Sequence, residues 1–191
     1  MHKLIAIVGM AGAGKSTTAA HFQKAGYAKV RFGDATMEEL QRREMEVNEE
    51  NESLIRETLR LELGMDAYAK LNEPKLKEAL RYSDVVIDGL YSWQEYTYIK
   101  PKFPQLRLLA VYASPKTRYG RLASRPERPL SNEEAAGRDY AEIENLNKAD
   151  PIAMADYAIM NEGSLEELKL GTERMIRLIA HEKPDMGRIL H

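Results

Sequence analysis

The chain of 191 residues has no cysteine, which excludes disulfides, thiolate nucleophiles and cysteine-bearing metal centres. Histidine is scarce: His2, His21, His181 and His191 are scattered, with no metal-ligand spacing and no serine elbow near them. Aromatics are few, with a single tryptophan. Their one cluster, Tyr91, Trp93, Tyr96 and Tyr98, could stack on a base, but reads more simply as packing of an amphipathic helix. Formal net charge is only −2, so no overall basic field draws the chain to nucleic acid or a membrane surface. No apolar run approaches a membrane span. Met1-His2-Lys3 lead straight into an apolar run, so this end is expected to be structural rather than a cleaved leader, and the expected compartment is the cytoplasm. There are no internal repeats, low-complexity tracts or linkers, and the length is that of a single domain. Oligomeric state is not legible in this pattern.

What the sequence does have is Gly-Met-Ala-Gly-Ala-Gly-Lys-Ser from Gly9 to Ser16, placed after the apolar run Leu4-Ile5-Ala6-Ile7-Val8 and before a helix-like Thr17-Thr18-Ala19-Ala20. This is a P-loop in its proper context. A glycine-rich turn between strand and helix aims backbone N–H groups at a phosphate chain, and the helix dipole adds partial positive charge. The amides from Gly12 through Ala13, Gly14 and Lys15 to Thr17 are expected to cradle a β-phosphate. Lys15 would bridge the β- and γ-phosphates, and Ser16 would hold magnesium.

Five segments read as strands: Leu4 to Val8, Ala28 to Phe32, Asp84 to Asp88, Leu106 to Tyr112 and Tyr157 to Met160. Helix-like stretches separate them, the alternation of an α/β fold with a parallel sheet and helices on both faces. The first helix is predicted to run to Ala25, with Gly26 as its left-handed stop. Residues 35–82 are too long for a simple crossover and read as an inserted helical cap. Leu54, Thr58 and Leu61, or Leu54, Leu59 and Leu63, mark its apolar spacing; Gly64 ends one helix, and Asn72 to Pro74 begins another. Ser124 to Gly137 reads as a flexible loop.

Val86-Ile87-Asp88-Gly89 has the form of a Walker B strand, whose Asp88 would manage magnesium with Ser16. Gly33-Asp34 puts a second carboxylate at the same sheet edge, suited to capping a helix or to taking a proton from an acceptor hydroxyl. Arg118, Arg121, Arg125, Arg128 and Arg138 form the densest arginine group. Guanidinium forks suit the charge that spreads over a migrating phosphoryl group, and a closing loop would exclude water. Asn147-Lys148-Ala149-Asp150 fits the Asn-Lys-x-Asp guanine-reading pattern, but it follows a charged helix-like stretch rather than a buried strand, and is read as coincidence.

Together these segments resemble the P-loop kinases of the nucleoside monophosphate kinase and dephospho-CoA kinase group, and more closely an archaeal, kinase-like branch of it. The resemblance spans nearly the whole chain, through the P-loop, Gly33-Asp34, Val86 to Gly89, Ala113-Ser114-Pro115-Lys116-Thr117-Arg118, Arg138-Asp139 and Ala155 to Leu165. It implies the three-layer P-loop NTPase fold with strand order 2-3-1-4-5, an acceptor-binding helical insertion at about 35–82, and a lid at about 124–137. It also implies ATP as donor, Mg2+ as cofactor and a small nucleotide-like acceptor. On the donor side Gly9, Arg121 and the loop with Asn161, Gly163 and Ser164 would complete the nucleotide pocket. Arg125, Arg128 and Arg138 would steady the transferred group, with Asp34 facing the acceptor.

The departures concern the acceptor. Related sequences carry an arginine four residues after the Gly of Gly-Asp and another shortly after Asp-Gly; here those positions hold Met37 and Tyr91. The Pro-Leu-Leu-Phe-Glu type of run of dephospho-CoA kinases is replaced by Leu90-Tyr91-Ser92-Trp93. Keeping Asp34 while lacking two arginines tilts the expectation toward a hydroxyl acceptor, or a larger nucleotide-like molecule held elsewhere on the cap. The alternative from another class is a nucleotide-dependent switch with no dedicated acceptor.

Overall fold

Each strand is a short apolar run that delivers alternate side chains to opposite faces, and that period builds the core in two layers. The computed structural model describes residues 2–126 and 128–182; Met1, position 127 of the expected lid and His191 lie outside them. In chain order come β1 (Leu4–Val8), α1 (Lys15–Lys24), β2 (Ala28–Arg31), α2 (Asp34–Arg42), α3 (Glu49–Leu63), α4 (Ala67–Ala79) and β3 (Val85–Asp88). There follow α5 (Trp93–Ile99), β4 (Leu106–Tyr112), α6 (Pro115–Ala123), α7 (Asn132–Leu146), α8 (Ala149–Ala153), β5 (Tyr157–Met160) and α9 (Leu165–His181). The strands form a five-stranded, all-parallel sheet in the order β2-β3-β1-β4-β5.

Leu4, Ala6 and Val8 of β1 share one face with Val85, Ile87, Leu106, Leu108 and Ala110, packed under residues of α2 to α5. Ile5 and Ile7 turn to the other face with Val86, Leu109 and Val111, against Ala19 and Phe22 of α1 and Leu168 and Ile179 of α9. Each fully buried Leu or Ile contributes roughly 1.5–3 kcal/mol. A small third cluster joins Ala11 of the P-loop to Leu122 of α6 and Ala135 of α7. Among the described residues no helix is long and apolar enough to cross a membrane.

The inserted segment departs from the sequence reading in three ways. It comprises three helices, α2, α3 and α4, where the sequence marked two. Of the expected apolar spacing on α3 Leu59 is buried, together with Ile55, while Leu54, Leu61 and Leu63 are exposed; packing against α2 and α4 selects a stripe that the expected spacing only partly shares. Gly64 ends α3 as expected, but α4 begins at Ala67 and runs through Pro74. A proline inside a helix costs about 3 kcal/mol. Burial of Ala67, Tyr68, Ala69 and Leu76 offsets it, helped by Asn72, whose amide donates to the carbonyls of Tyr68 (2.9 Å) and Phe32 (3.2 Å).

Among the described residues of the expected lid, those before Ser131 are irregular. There a capping box starts α7, Ser131 accepting from the Glu134 N–H and Glu134 from the Ser131 N–H, so Gly137 and Arg138 are helical.

Candidate functional site

The P-loop follows β1 at the centre of the sheet, where the chain order reverses between β3 and β4. All three glycines of the loop take positive φ with no room for a Cβ, most tightly at Gly9 and Gly14. Gly9 has φ +147°, and a Cβ there would lie 2.4 Å from the Val111 carbonyl oxygen of β4. Gly14 has φ +104°, and a Cβ there would meet the Asn161 amide nitrogen at 2.5 Å. Gly14 offers no capping side chain to α1, whose first turn also holds no acid. The free N–H groups and the dipole at that end favour an anion.

Lys15 folds back over the loop and donates to the Met10 carbonyl oxygen at 2.9 Å. Enclosure pushes its pKa down to about 7; the Lys148 charge pushes the same way, while Glu142 and Asp88 oppose it. A polyanion beside it would favour the charged form.

A cavity of about 230 Å³ opens beside the loop, lined by Gly12, Gly14, Lys15, Ser16 and Thr17 on one side. Arg121, Arg125, Asn161, Leu165 and Leu168 line the other. Asn161 follows β5 and is buried; its amide donates to the Ala13 carbonyl at 2.8 Å, tying β5 to the P-loop. Arg121 donates through Nη2 to the Gly163 carbonyl (3.1 Å) and to Asn161 Oδ1 (3.4 Å), while its Nη1 is buried without a hydrogen-bond partner among the described residues. Ser164 is the N-cap of α9, accepting from the Glu167 N–H at 3.2 Å. So the residues expected on the donor side come together, with Gly9, Ala13, Gly163 and Ser164 as the frame rather than the lining.

Asp88 ends β3, in register with Ile7 of β1 and Arg31 of β2, and is buried. The Ser16 hydroxyl and the Asp88 carboxylate are hard oxygen donors of the kind magnesium prefers. Among the described residues no group of three or more His, Cys, Asp or Glu could hold a metal. The donor set therefore fits an ion carried in with phosphate oxygens and water, as magnesium usually is.

Asp34 is the first residue of α2, with Gly33 at the cap position, so the capping role read from sequence is not the one it takes. Its half-exposed carboxylate lies 3.6 Å from Arg31 Nη1.

The arginine group divides into separate tasks. Arg118 is buried and serves the interior. Arg128 reaches from the loop to the cap, donating to Glu49 at 2.5 Å and Glu52 at 3.4 Å on α3. Arg138 donates to Glu142 at 3.0 Å, one turn further along α7.

Sequence reasoning gave no role to two charged residues that the structure buries. Lys148 is buried and donates to Glu142 at 2.6 Å, and its ammonium sits 4.7 Å from the centre of the Tyr91 ring. Glu95 is fully buried at the start of α5, accepting from the N–H groups of Tyr91 (2.6 Å) and Ser92 (3.2 Å), and burial raises its pKa to about 7. The sequence signal for Glu95 is Ser92-x-x-Glu95, a capping box. Lys148 has no such signal, because its neighbours Asn147 and Ala149 are exposed.

A family model described as an AAA domain matches residues 5–145, from β1 into α7. A UPF0200 protein of Thermococcus onnurineus (strain NA1) is 36% identical over 184 residues, covering 94% of this chain and 99% of its own length. The fold is also similar to two solved kinases at low identity. A shikimate kinase from Bacteroides thetaiotaomicron has a TM-score of 0.61 at 16% identity over 93% of this chain and 98% of its own. A dephospho-CoA kinase from Campylobacter jejuni has a TM-score of 0.54 at 14% identity over 93% of this chain and 97% of its own. With a P-loop kinase-like fold and near full-length similarity to its archaeal relatives, this chain belongs to the UPF0200 family.

Proposed function

We propose that the protein is a magnesium- and ATP-dependent phosphotransferase acting on a small nucleotide or nucleotide-like metabolite, in the manner of the dephospho-CoA or nucleoside monophosphate kinases. The observation that carries this reading is the cavity of about 230 Å³ in which the P-loop, Arg121, Arg125 and Asn161 face one another. A phosphate-binding turn alone serves any NTPase; an arginine opposite it, here Arg125, matches the charge of a group in flight.

In this reading the amides from Gly12 to Thr17 bind the β-phosphate and Lys15 spans the β- and γ-phosphates. Arg121, Asn161, Gly163 and Ser164 surround the base and sugar. Ser16 and Asp88 hold magnesium, which supplies charge neutralisation on the phosphate oxygens. Arg125, Arg128 and Arg138 gather on the transferred group as the loop closes, and Asp34 faces the acceptor. Arg128 must first exchange its carboxylate partners on α3 for phosphate oxygens.

The test is incubation with ATP and Mg2+ against nucleoside monophosphates, dephospho-CoA and cofactor precursors, with mass spectrometry of the products. Lys15→Ala should lower transfer by at least about 10²–10³-fold with the fold intact. Unaltered turnover in that variant sinks the assignment. Slow hydrolysis that no metabolite stimulates, with a partner protein held in one nucleotide state only, replaces it with a switch.

A further inference from the structure

We propose that Glu142 is a positioning residue: anchored by Lys148, it holds the Arg138 guanidinium at Nε and leaves the outer edge of that group free for the transferred phosphoryl group. The proposal rests on the phosphotransferase reading, in which Arg138 meets that group, and names what puts it there.

The inner face of α7 is one helical stripe, Ala135, Arg138, Asp139 and Glu142, spaced i, i+3, i+4 and i+7. Ala135 packs with Ala11 of the P-loop. One turn on, Asp139 takes the fork of Arg118, whose Nη1 also donates to the Ala11 carbonyl. At the far end Asn147, φ +47°, reverses the chain, and Lys148 comes to lie over Tyr91, three residues past Asp88. The helix is thus tied to the P-loop at one end and to the segment after β3 at the other, with Arg138 and Glu142 between.

Within that stripe the bonds are divided atom by atom. Glu142 Oε1 accepts from Arg138 Nε at 3.0 Å, and its Oε2 accepts from the Lys148 ammonium at 2.6 Å. Lys148 also donates its N–H to the Glu142 carbonyl at 3.3 Å. Held from both sides and only 12% exposed, the Glu142 side chain cannot turn to water without breaking a buried ion pair. Arg138 is half-exposed, and its Nη1 and Nη2 have no hydrogen-bond partner among the described residues. Those two nitrogens form an edge that can grip a phosphate bidentately.

Arg128 is built the other way. It is held through Nη1 and Nη2 by carboxylates of another element, and must release them to bind phosphate. Arg138 is held through Nε by its own helix and can bind without breaking a bond. Fixing the guanidinium before the nucleotide arrives reduces the ordering left for the transition state. Both charges also act on Lys15, Glu142 favouring its charged form and Arg138 opposing it, as expected of a pair on the phosphate side of α7.

The test compares Glu142→Gln, Arg138→Ala and the double variant with ATP, Mg2+ and the acceptor panel, hydrolysis of ATP being the rate read where no acceptor reacts. Calorimetric titration with Mg2+, ADP and tetrafluoroaluminate, a mimic of the migrating phosphoryl group, gives a reading that needs no turnover. Glu142→Gln should lower kcat by about 10-fold or more and weaken binding of the mimic by a similar factor, with ATP affinity within about twofold of the parent. In the Arg138→Ala background the same substitution should change neither. A further loss there routes the effect through Lys15 and overturns the proposal. Transfer with an unchanged or raised kcat in Glu142→Gln overturns it too, and leaves the phosphotransferase reading standing. Because Glu142→Gln leaves Lys148 buried without its partner, Glu142→Gln with Lys148→Met is measured beside it; this neutral pair should restore the urea midpoint but not kcat. Recovery of both assigns a structural role and overturns the proposal. Hydrolysis lowered through Arg138 with no acceptor phosphorylated sustains the positioning role and removes the dedicated acceptor. A protein that neither transfers nor hydrolyses, and binds the mimic equally in parent and Glu142→Gln forms, overturns both readings.

Discussion

Arg118 and Asp139 form a two-pronged ion pair in the interior, with hydrogen bonds of 2.9 and 2.6 Å, and join α6 to α7 behind the P-loop. The same guanidinium donates to the carbonyls of Ala11 (3.1 Å) and Ala113 (3.0 Å), and Tyr119 donates to Asp139 at 3.0 Å. One side chain thereby holds the P-loop, the end of β4 and the helix that carries Arg138. Removing one partner of such a pair leaves a buried charge alone. Arg118→Ala is expected to cost about 3–5 kcal/mol in urea unfolding, whereas Arg118→Lys, which cannot make the fork, should recover only part of it.

Glu95 links stability to pH. Burial raises its pKa from 4.5 to about 7. Between those values the unfolded chain has released the proton while the folded one keeps it, so stability falls as pH rises through this window and levels off above it. Glu95→Gln removes that dependence. Relative to the parent, the variant should gain up to about 3 kcal/mol between pH 4.5 and 7, read by urea titrations at several pH values. A constant difference between the two proteins across the window contradicts this.

Asn161 is the tie between β5 and the phosphate loop. Asn161→Ala leaves the Ala13 carbonyl, whose residue is buried, without its 2.8 Å donor. The expected cost is about 1–3 kcal/mol of stability. ATP affinity should fall with it, because Arg121 also loses an acceptor; calorimetric titration with MgATP measures the second effect.

Arg128 separates a structural from a chemical role. Its bonds to Glu49 and Glu52 are exposed at one end, with Arg128 and Glu49 both about 60% accessible. Pairs of that kind stabilise by about 0.2–1 kcal/mol. Arg128→Ala should thus leave the thermal midpoint almost unmoved. A kcat lowered by about 10²-fold or more would then mark it as a residue of the transfer step. Glu49→Gln, which releases Arg128 from the cap, is expected not to lower kcat.

Local sequence carried much of the architecture. The strands at Leu4–Val8, Leu106–Tyr112 and Tyr157–Met160 were legible because each is a short apolar run, and the P-loop because each of its requirements falls on adjacent residues. The strand order and the proximity of Asn161 and Arg121 to the P-loop followed from resemblance to other kinases, not from local pattern. Helical periodicity located α3 but caught its buried face only at Leu59, since α2 and α4, not the local spacing, decide that Ile55 rather than Leu54 turns inward. Pro74 misled for a related reason: local propensity opposes it inside a helix, and packing of Tyr68 and Leu76 outweighs that propensity.

Charge was the least legible property. Arg118, Arg121, Arg128 and Arg138 look alike along the chain, yet they face Asp139, Gly163, Glu49 and Glu142 respectively. Lys148 lies in a polar turn by sequence and in the interior by structure. Backbone preference and hydrophobic period act between near neighbours, so residue order is enough to read them. The environment of an ionisable side chain depends on what long-range folding places beside it, and for Lys148 one such neighbour, Tyr91, comes from the start of another crossover, just past β3.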